Sequence, residues 1–206
     1  MMKKITSPLL CASLVTAVLF PPVVCAQESA ASETPRSDKH YIGLLATALE
    51  HRSIGISKED GWGQAGTLVI GGHLNDLIHA EIRLGGGYKD AEISRGDLSL
   101  AIDYFGSWYM GLHYPIGELG NVYAQAGFTH VSGEATLDNP DADANGQFRD
   151  YVGDYPSSSF SFSWLAGIDF ELLDSTYLVL EGGKLFKDTD TSANAFQFSS
   201  GIRFEF

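Results

Sequence analysis

Five charged side chains have the clearest potential for chemistry in this sequence, because each one interrupts a segment in which apolar and polar residues alternate. They are Glu81, Arg83, Asp103, Glu181 and Arg203. Successive side chains of a strand point to opposite faces, so all five would lie on the polar face of a sheet. A charge in a dry interior is costly unless it is paired. The pattern predicts an interior ionic network that either conducts protons or ions or simply fills a narrow core.

A second candidate site lies in the acidic segment 132–158. The stretch DADANG that begins at Asp141 matches the opening of a calcium-binding loop, which needs oxygen ligands at alternate positions and a glycine at the sharp turn. The twelfth position of such a loop should be acidic but is Val152 here. Asp141, Asp143 and Asn145 are therefore candidate calcium ligands, and the alternative is a solvated acidic loop. Calcium is the one cofactor that the sequence suggests.

Nucleophilic chemistry has less support. Both cysteines, Cys11 and Cys25, lie within residues 1–26, which have two early lysines, an apolar run and a small-residue cleavage site typical of a secretory signal peptide. Removal of this signal excludes disulfides and thiol nucleophiles from the mature chain. Cleavage before Cys25 as a lipoprotein is the alternative, and the bulk of Val24 disfavours it. The histidines lie on separate segments, and no Ser–His spacing is diagnostic of a catalytic pair. They are His73, His79, His113 and His130.

The elements that must position these residues are strands. After a flexible polar leader at 27–38, the rest of the chain, 39–206, shows segments of about ten residues in which apolar and polar residues alternate, as in membrane β-barrels. No mature stretch is apolar for about 18 residues, so a spanning helix is not expected. The predicted strands cover about 40–50, 64–74, 77–88, 98–114, 121–131, 159–172, 176–187 and 194–206. The sequence therefore predicts an all-β fold, an eight-stranded antiparallel up-and-down transmembrane β-barrel.

The connections between these strands fall into two classes. Short turns at 75–76, 115–120 and 173–175 alternate with longer loops at 51–63, 89–97, 132–158 and 188–193. Outer-membrane barrels have short periplasmic turns and longer outer loops, and the pattern fits them.

Alternation alone does not say which face of the barrel points outward, and a soluble lipocalin-type barrel with an apolar interior is the alternative. Two features favour a membrane barrel whose apolar face points outward into lipid. Bulky ions occupy the polar face, where they can pair inside a tube, and aromatic residues lie near both ends of the apolar face, as membrane girdles require. The apolar face is expected to include Leu98, Leu100 and Ile102 on the fourth strand, and Trp164 and Phe198 elsewhere.

The last strand, 194–206, alternates to the final residue and ends on an aromatic. With its signal peptide and eight strands, the chain resembles the small eight-stranded outer-membrane proteins of the OmpA transmembrane domain, OmpX and Ail group. The resemblance implies that Ile202, Phe204 and Phe206 form the assembly signal read by the barrel-insertion machinery. It also implies a monomer in the outer membrane of a Gram-negative bacterium, in contact with membrane lipid and lipopolysaccharide. The net charge of −13 disfavours nucleic acid as a partner.

Three functions are compatible with these features. The first is a non-enzymatic barrel whose outer loops, chiefly 132–158, serve surface interaction or envelope integrity. The second is a narrow channel for water or small ions. The third is an enzyme that modifies lipid A, as some small barrels do, which would need a Ser or His oriented by an acid at the membrane rim.

Overall fold

The structure is a computed structural model, and it describes residues 37–94, 97–117, 120–141, 143 and 146–206. The predicted signal peptide (1–26) and all but the last two residues of the predicted leader (27–38) lie outside the described residues. Within the described part of the chain, ten strands form: β1 (His40–Ile54), β2 (Glu59–His73), β3 (Ile78–Lys89), β4 (Ala91–Ile93), β5 (Leu98–Pro115), β6 (Gly120–Leu137), β7 (Gly153–Asp154), β8 (Phe160–Leu173), β9 (Thr176–Lys187) and β10 (Asn194–Glu205). None of the described residues belongs to a helix long and apolar enough to cross a membrane.

Eight of these strands close into a barrel. Their order around it is β1, β2, β3, β5, β6, β8, β9 and β10, and each pairs antiparallel with its neighbours. β10 pairs with β1, and two backbone hydrogen bonds between His40 and Phe206, 3.0 and 2.8 Å long, continue the pairing to the last residue. The short strands β4 and β7 extend the sheet beyond one end. The predicted eight-stranded up-and-down barrel is confirmed.

The two ends of the barrel differ in their connections. Short turns at 74–77, 116–119 and 174–175 define one end, the short-turn end. The other, the long-loop end, carries 55–58, 90–97, 138–159 and 188–193. The predicted loops 51–63 and 132–158 were too long, because β1 and β2 continue to pair up to residues 54 and 59 and β6 runs to Leu137.

The apolar face of the barrel points outward, as the sequence predicts for most strands. Exposed apolar side chains include Leu44, Ile82, Leu112, Phe162, Trp164, Phe198 and Ile202. The alternating inward positions carry buried polar and charged residues such as Thr67, Glu81 and Ser163. A lipocalin-type barrel would have the opposite arrangement.

One strand departs from the predicted alternation. The pairing of β5 with β6 shifts register between Ile102 and Tyr104, so Asp103 is an extra residue in a β-bulge. A one-residue slip exchanges the two faces of the strand. Leu98, Leu100 and Ile102 are therefore buried inside the barrel and Asp103 is exposed. The predictions that these three apolar residues face outward and that Asp103 lies inside were wrong.

The inverted end of β5 contributes to an apolar cluster that fills the long-loop end, here called the mouth plug. Its large members are Leu49, Ile54, Ile93, Leu98, Leu100, Ile102, Phe105, Val131, Phe148, Tyr151, Tyr155, Leu185 and Phe186. Three of them come from segment 138–159, so the longest loop folds into the barrel mouth. Phe105 fits because its ring lies over Gly85, where a Cβ atom would come within 2.1 Å of the ring.

Candidate functional site

A buried ion pair crosses the barrel below the mouth plug. Arg83 on β3 and Glu181 on β9 belong to strands that are separated by three others in either direction, so they face each other across the lumen. Arg83 Nη2 donates to Glu181 Oε2 at 2.9 Å, and Nη1 contacts the other carboxylate oxygen. The Nε group donates to Glu81. Such a two-pronged contact fixes both side chains, and it spans the full width of the lumen.

Two tyrosines complete the hydrogen bonding of the two carboxylates. Tyr41 Oη donates to Glu81 Oε2 at 3.0 Å, and Tyr123 Oη donates to Glu181 Oε2 at 2.7 Å. Each tyrosine ring extends over a glycine of the neighbouring strand, and Gly167, for example, would place a Cβ atom 2.6 Å from the Tyr123 hydroxyl. The glycines thus leave room for the aromatic groups that satisfy the buried charges.

A second ionic set lies nearer the short-turn end. Arg203 Nη2 donates to Asp169 Oδ2 at 2.9 Å and to Glu205 Oε1 at 3.4 Å. The guanidinium group lies between the rings of Tyr41 and Tyr177, 4.9 and 5.2 Å from their centroids. Asp169 therefore accepts a hydrogen bond from a buried arginine. Asp103 has no such place in the interior, because the bulge in β5 puts it on the outer face.

The structure therefore gathers four of the five predicted ions inside the barrel. A cavity of about 10 Å³ between the two ionic sets is lined by Glu81, Arg83, Glu181 and Arg203, and this volume suits about one water molecule.

A layer of hydroxyl groups separates the ions from the mouth plug. The hydroxyls of Thr47 and Thr67 lie 2.9 Å apart, and Thr129 Oγ1 donates to Ser163 Oγ at 2.8 Å. Gln197 on β10 donates to the Tyr109 hydroxyl of β5 at 3.3 Å, and these two strands also lie on opposite sides of the barrel. Polar contacts therefore cross the lumen at two levels.

Three histidines that looked scattered in the sequence meet at the short-turn end. The ring centroids of His73 and His113 are 4.6 Å apart, and those of His79 and His113 are 5.5 Å apart. His73 Nε2 lies 3.3 Å from Glu205 Oε1. Each histidine is the inward residue nearest a short turn. This regularity is present in the sequence, but the distances between the histidines along the chain do not reveal it. No group of three potential ligands in the described part of the chain is arranged to hold a metal ion.

The calcium motif is only partly described. Asp141 is exposed, and Asn145 lies outside the described residues. Asp143 is buried, and its Oδ1 atom accepts a hydrogen bond from the backbone N–H of Phe148 at 3.3 Å. This carboxylate closes a turn of the loop. Calcium binding by the three candidate residues stays a prediction.

The longest loop is tied to its neighbours by one buried carboxylate. Asp188, in the β9–β10 connection, accepts hydrogen bonds from the backbone N–H groups of Ser157 and Ser158 at 3.2 and 3.0 Å. The hydroxyls of Ser158 and Thr191 donate to it at 2.7 Å each. Burial favours the neutral acid, but these hydrogen bonds outweigh it and hold the pKa of Asp188 below its ordinary value of 3.8.

The surface of the long-loop end is acidic. Among its described residues, the exposed acidic side chains are Asp60, Asp90, Glu92, Glu134, Asp138, Asp141, Asp150, Asp154 and Asp190. The exposed basic ones are Lys58, Lys89, Arg149 and Lys187. Because the mouth plug and Asp188 fix the loops, these charges are held on a defined surface.

Comparison with known proteins identifies the family. A family model described as outer membrane protein beta-barrel domain matches residues 16–204. Ail of Yersinia pestis, solved with the heparin analogue sucrose octasulfate, is 13% identical over 82% of this chain and 98% of its own, with a TM-score of 0.54. Neisserial surface protein A is 15% identical over 81% and 97%, with a TM-score of 0.52. OprG from Pseudomonas aeruginosa is 8% identical over 83% and 97%, with a TM-score of 0.51. No curated protein matches the chain in sequence.

Proposed function

The chain belongs to the outer-membrane β-barrel protein family, and we propose that it is a non-enzymatic surface protein whose outer loops bind basic partners. Proteins of this family lie in the outer membrane of Gram-negative bacteria, so the long-loop end faces the outside of the cell. The proposal has two parts, a closed lumen and a fixed acidic surface.

The observation that carries the proposal is that segment 138–159 is fixed to the barrel by buried side chains and hydrogen bonds. Phe148, Tyr151 and Tyr155 are buried in the mouth plug, and Asp188 binds the backbone at the end of the segment. A loop that is ordered before binding loses less conformational entropy when it meets a partner. Rigid loops on a barrel are thus suited to recognition.

The charge of this surface indicates the chemistry of the partner. Clustered acidic groups attract cationic molecules and repel anionic ones. Ail has been solved with the heparin analogue sucrose octasulfate, a polyanion. The acidic surface of this chain does not suit such a ligand, and we expect basic peptides or basic protein surfaces instead.

Binding of a fluorescent polylysine peptide to the refolded barrel in a non-ionic detergent, which contains no lipopolysaccharide and leaves both ends of the barrel accessible, tests the proposal. We expect the triple substitution Glu134→Gln, Asp150→Asn and Asp154→Asn to reduce the binding several-fold and to weaken its dependence on salt. Asp174→Asn, in a short turn at the other end of the barrel, is the matched control and should bind as the wild type does. Equal binding by the triple variant and the wild type would contradict the proposal.

A narrow channel is the second candidate, and the polar lumen with its water-sized cavity is the observation that favours it. The ion pair between Arg83 and Glu181 opposes it, because that pair crosses the lumen. We expect no conductance from the wild-type barrel in planar bilayers, and steady single-channel currents would favour the channel instead. Overexpression should also leave the mass of lipid A unchanged if the protein has no lipid A-modifying activity.

A further inference from the structure

The lipid-facing wall of the barrel has a depression on one side. Four small residues stand in register across four neighbouring strands: Ser200 on β10, Ala46 on β1, Gly66 on β2 and Gly86 on β3. The adjacent row toward the short-turn end is bulky and consists of Ile202, Leu44, Leu68 and Leu84. Two residues of the small row, Ala46 and Ser200, line a groove whose volume is about 420 Å³. Its other lining residues include Phe198, Leu180 and Tyr88. Ligand sites have volumes of about 300–1,000 Å³.

Two polar side chains face into this groove. Gln64 and Ser200 both line it, at positions that would otherwise contact acyl tails. Neither side chain forms a hydrogen bond within the described residues. Because an unpaired polar group facing hydrocarbon is costly, these two groups favour an occupant with hydrogen-bonding atoms of its own, such as the ester and amide carbonyls of a lipid.

Two lysines lie on the side of the groove that is nearer the long-loop end. Lys184 points outward between Trp164 and Phe196, its partners on the neighbouring strands. Gly182 on the same strand pairs with the groove residue Phe198. Lys184 lies two residues, about 7 Å, further toward the long-loop end. Lys187 lies near enough for the two ammonium groups to repel each other.

No ion pair of the described residues includes either lysine. The neighbouring Arg52 is already paired with Glu50 at 2.5 Å, so it adds little net charge. Both lysines lie near the end of β9 at which the barrel wall meets the long loops. Lysine ammonium groups there bind phosphate groups of lipids as point charges.

We propose that this groove and the two lysines form a binding site for a phosphorylated saccharolipid of the outer leaflet. An acyl chain occupies the row of small residues, Gln64 and Ser200 bind its carbonyl groups, and Lys184 and Lys187 bind a phosphate above it. A second copy of the chain is a poor occupant, because its own lysines would be brought toward these. The site lies on the barrel wall and is independent of the acidic loop surface.

Native mass spectrometry of the refolded barrel with bisphosphorylated lipid A tests the site. We expect one retained lipid on the wild type and about 30-fold weaker binding by the double variant Lys184→Ala, Lys187→Ala, since each surface lysine contributes roughly fivefold. Lys39→Ala, Lys58→Ala removes the same charge elsewhere and should bind as the wild type does. Lys184→Arg should retain binding.

The groove is tested separately with Ala46→Trp, which fills the row of small residues and should weaken binding about tenfold or more. Ala126→Trp adds the same side chain on the outward face of β6 and is its control. Heat-modifiable gel mobility verifies folding of every variant, and Lys184→Gln replaces any lysine variant that fails this check.

Four results would overturn the proposal. Three of them are wild-type affinity in the lysine double variant, equal binding of lipid A from which both phosphates have been removed, and wild-type affinity in Ala46→Trp. The fourth is an affinity for phosphatidylglycerol equal to that for lipid A, because the site would then recognise any anionic lipid.

Discussion

Arg83 is the residue on which the barrel interior depends most. Its guanidinium group contacts Glu81 and Glu181, and its side chain is only 2% exposed. The two carboxylates come from strands on opposite sides of the lumen, so a single cation holds both in place. A buried pair of this kind is tolerated only while both partners are present.

Replacement of Arg83 by Ala should therefore destabilise the barrel strongly. Two buried carboxylates would lose their cation, and loss of one partner of a buried pair costs about 3–5 kcal/mol. The measurement is the urea midpoint of unfolding for the refolded protein in detergent. Glu181→Gln in the Arg83→Ala background should recover part of the loss, because it removes one uncompensated charge. A midpoint equal to that of the wild type would show that the pair does not support the fold.

In strands whose apolar and polar residues alternate without interruption, this alternation correctly predicted which charged side chains lie inside the barrel. Glu81, Arg83 and Glu181 follow that rule, and the structure brings them into contact. Asp103 fails because a bulge adds one residue, and nothing in the local sequence marks the slip. The histidine cluster was also missed, since its members come together only through the register of neighbouring strands.

At the scale of elements, the longest connection behaves as part of the barrel. The β6–β8 connection contributes aromatic side chains to the mouth plug, and Tyr155 Oη lies 2.9 Å from His51 Nδ1 of β1. Its composition is acidic and rich in small residues, so the sequence indicates a solvated loop. The few aromatic residues that enter the barrel determine its position, and the sequence gives no sign of where they pack.

Asp188→Asn should loosen this connection at neutral pH. An asparagine side chain has only one acceptor oxygen, so it cannot accept all the hydrogen bonds that reach the two carboxylate oxygens of Asp188. Charge-assisted bonds of this kind contribute about 1.5–3 kcal/mol. We expect trypsin to cleave after the exposed Arg149 at least about tenfold faster than in the wild type. Asp138→Asn makes the same change at an exposed position of the same loop, away from the cleaved bond, and is the control. Unchanged cleavage in Asp188→Asn would contradict the role assigned to this carboxylate.

The depressed pKa of Asp188 also fixes the direction of the pH dependence. Its stabilising contribution is complete above the ordinary value of 3.8 and is lost as the pH falls through the lower folded-state value. Pepsin digestion at decreasing pH should therefore begin to cut the wild-type loop only below about pH 4. In Asp188→Asn the same loop should be cut throughout the range in which pepsin is active.

The closing strand β10 carries the predicted assembly signal. Ile202 and Phe204 are exposed on its lipid-facing side, and Phe206 bonds to the backbone of His40. Deletion of Phe206 should reduce the amount of folded barrel in outer membranes several-fold, while the purified chain still refolds in detergent. The measurement is heat-modifiable mobility in membrane fractions. Wild-type membrane levels of the truncated chain would argue against a signal at these positions.

At the scale of the whole molecule, one physical arrangement explains the fold. Apolar side chains cover the outside, the ionic and hydroxyl groups inside are packed with a small apolar cluster that includes Leu45, Val69 and Val179, and the larger apolar mouth plug fills one end. The number of strands and their antiparallel order were predictable, because each strand repeats the same alternation. The plug was not, since it arises from an inverted strand end and a folded loop that depend on tertiary contacts.

Quenching of tryptophan fluorescence in lipid vesicles tests this arrangement most directly. The three tryptophans of the chain, Trp62, Trp108 and Trp164, all point outward and are 53%, 47% and 42% exposed. After refolding into vesicles whose acyl chains carry bromine, their emission should be strongly quenched, while iodide in the aqueous phase should have little effect. Emission that brominated acyl chains leave unchanged would mean that these side chains do not face lipid, and the barrel would then not span a membrane.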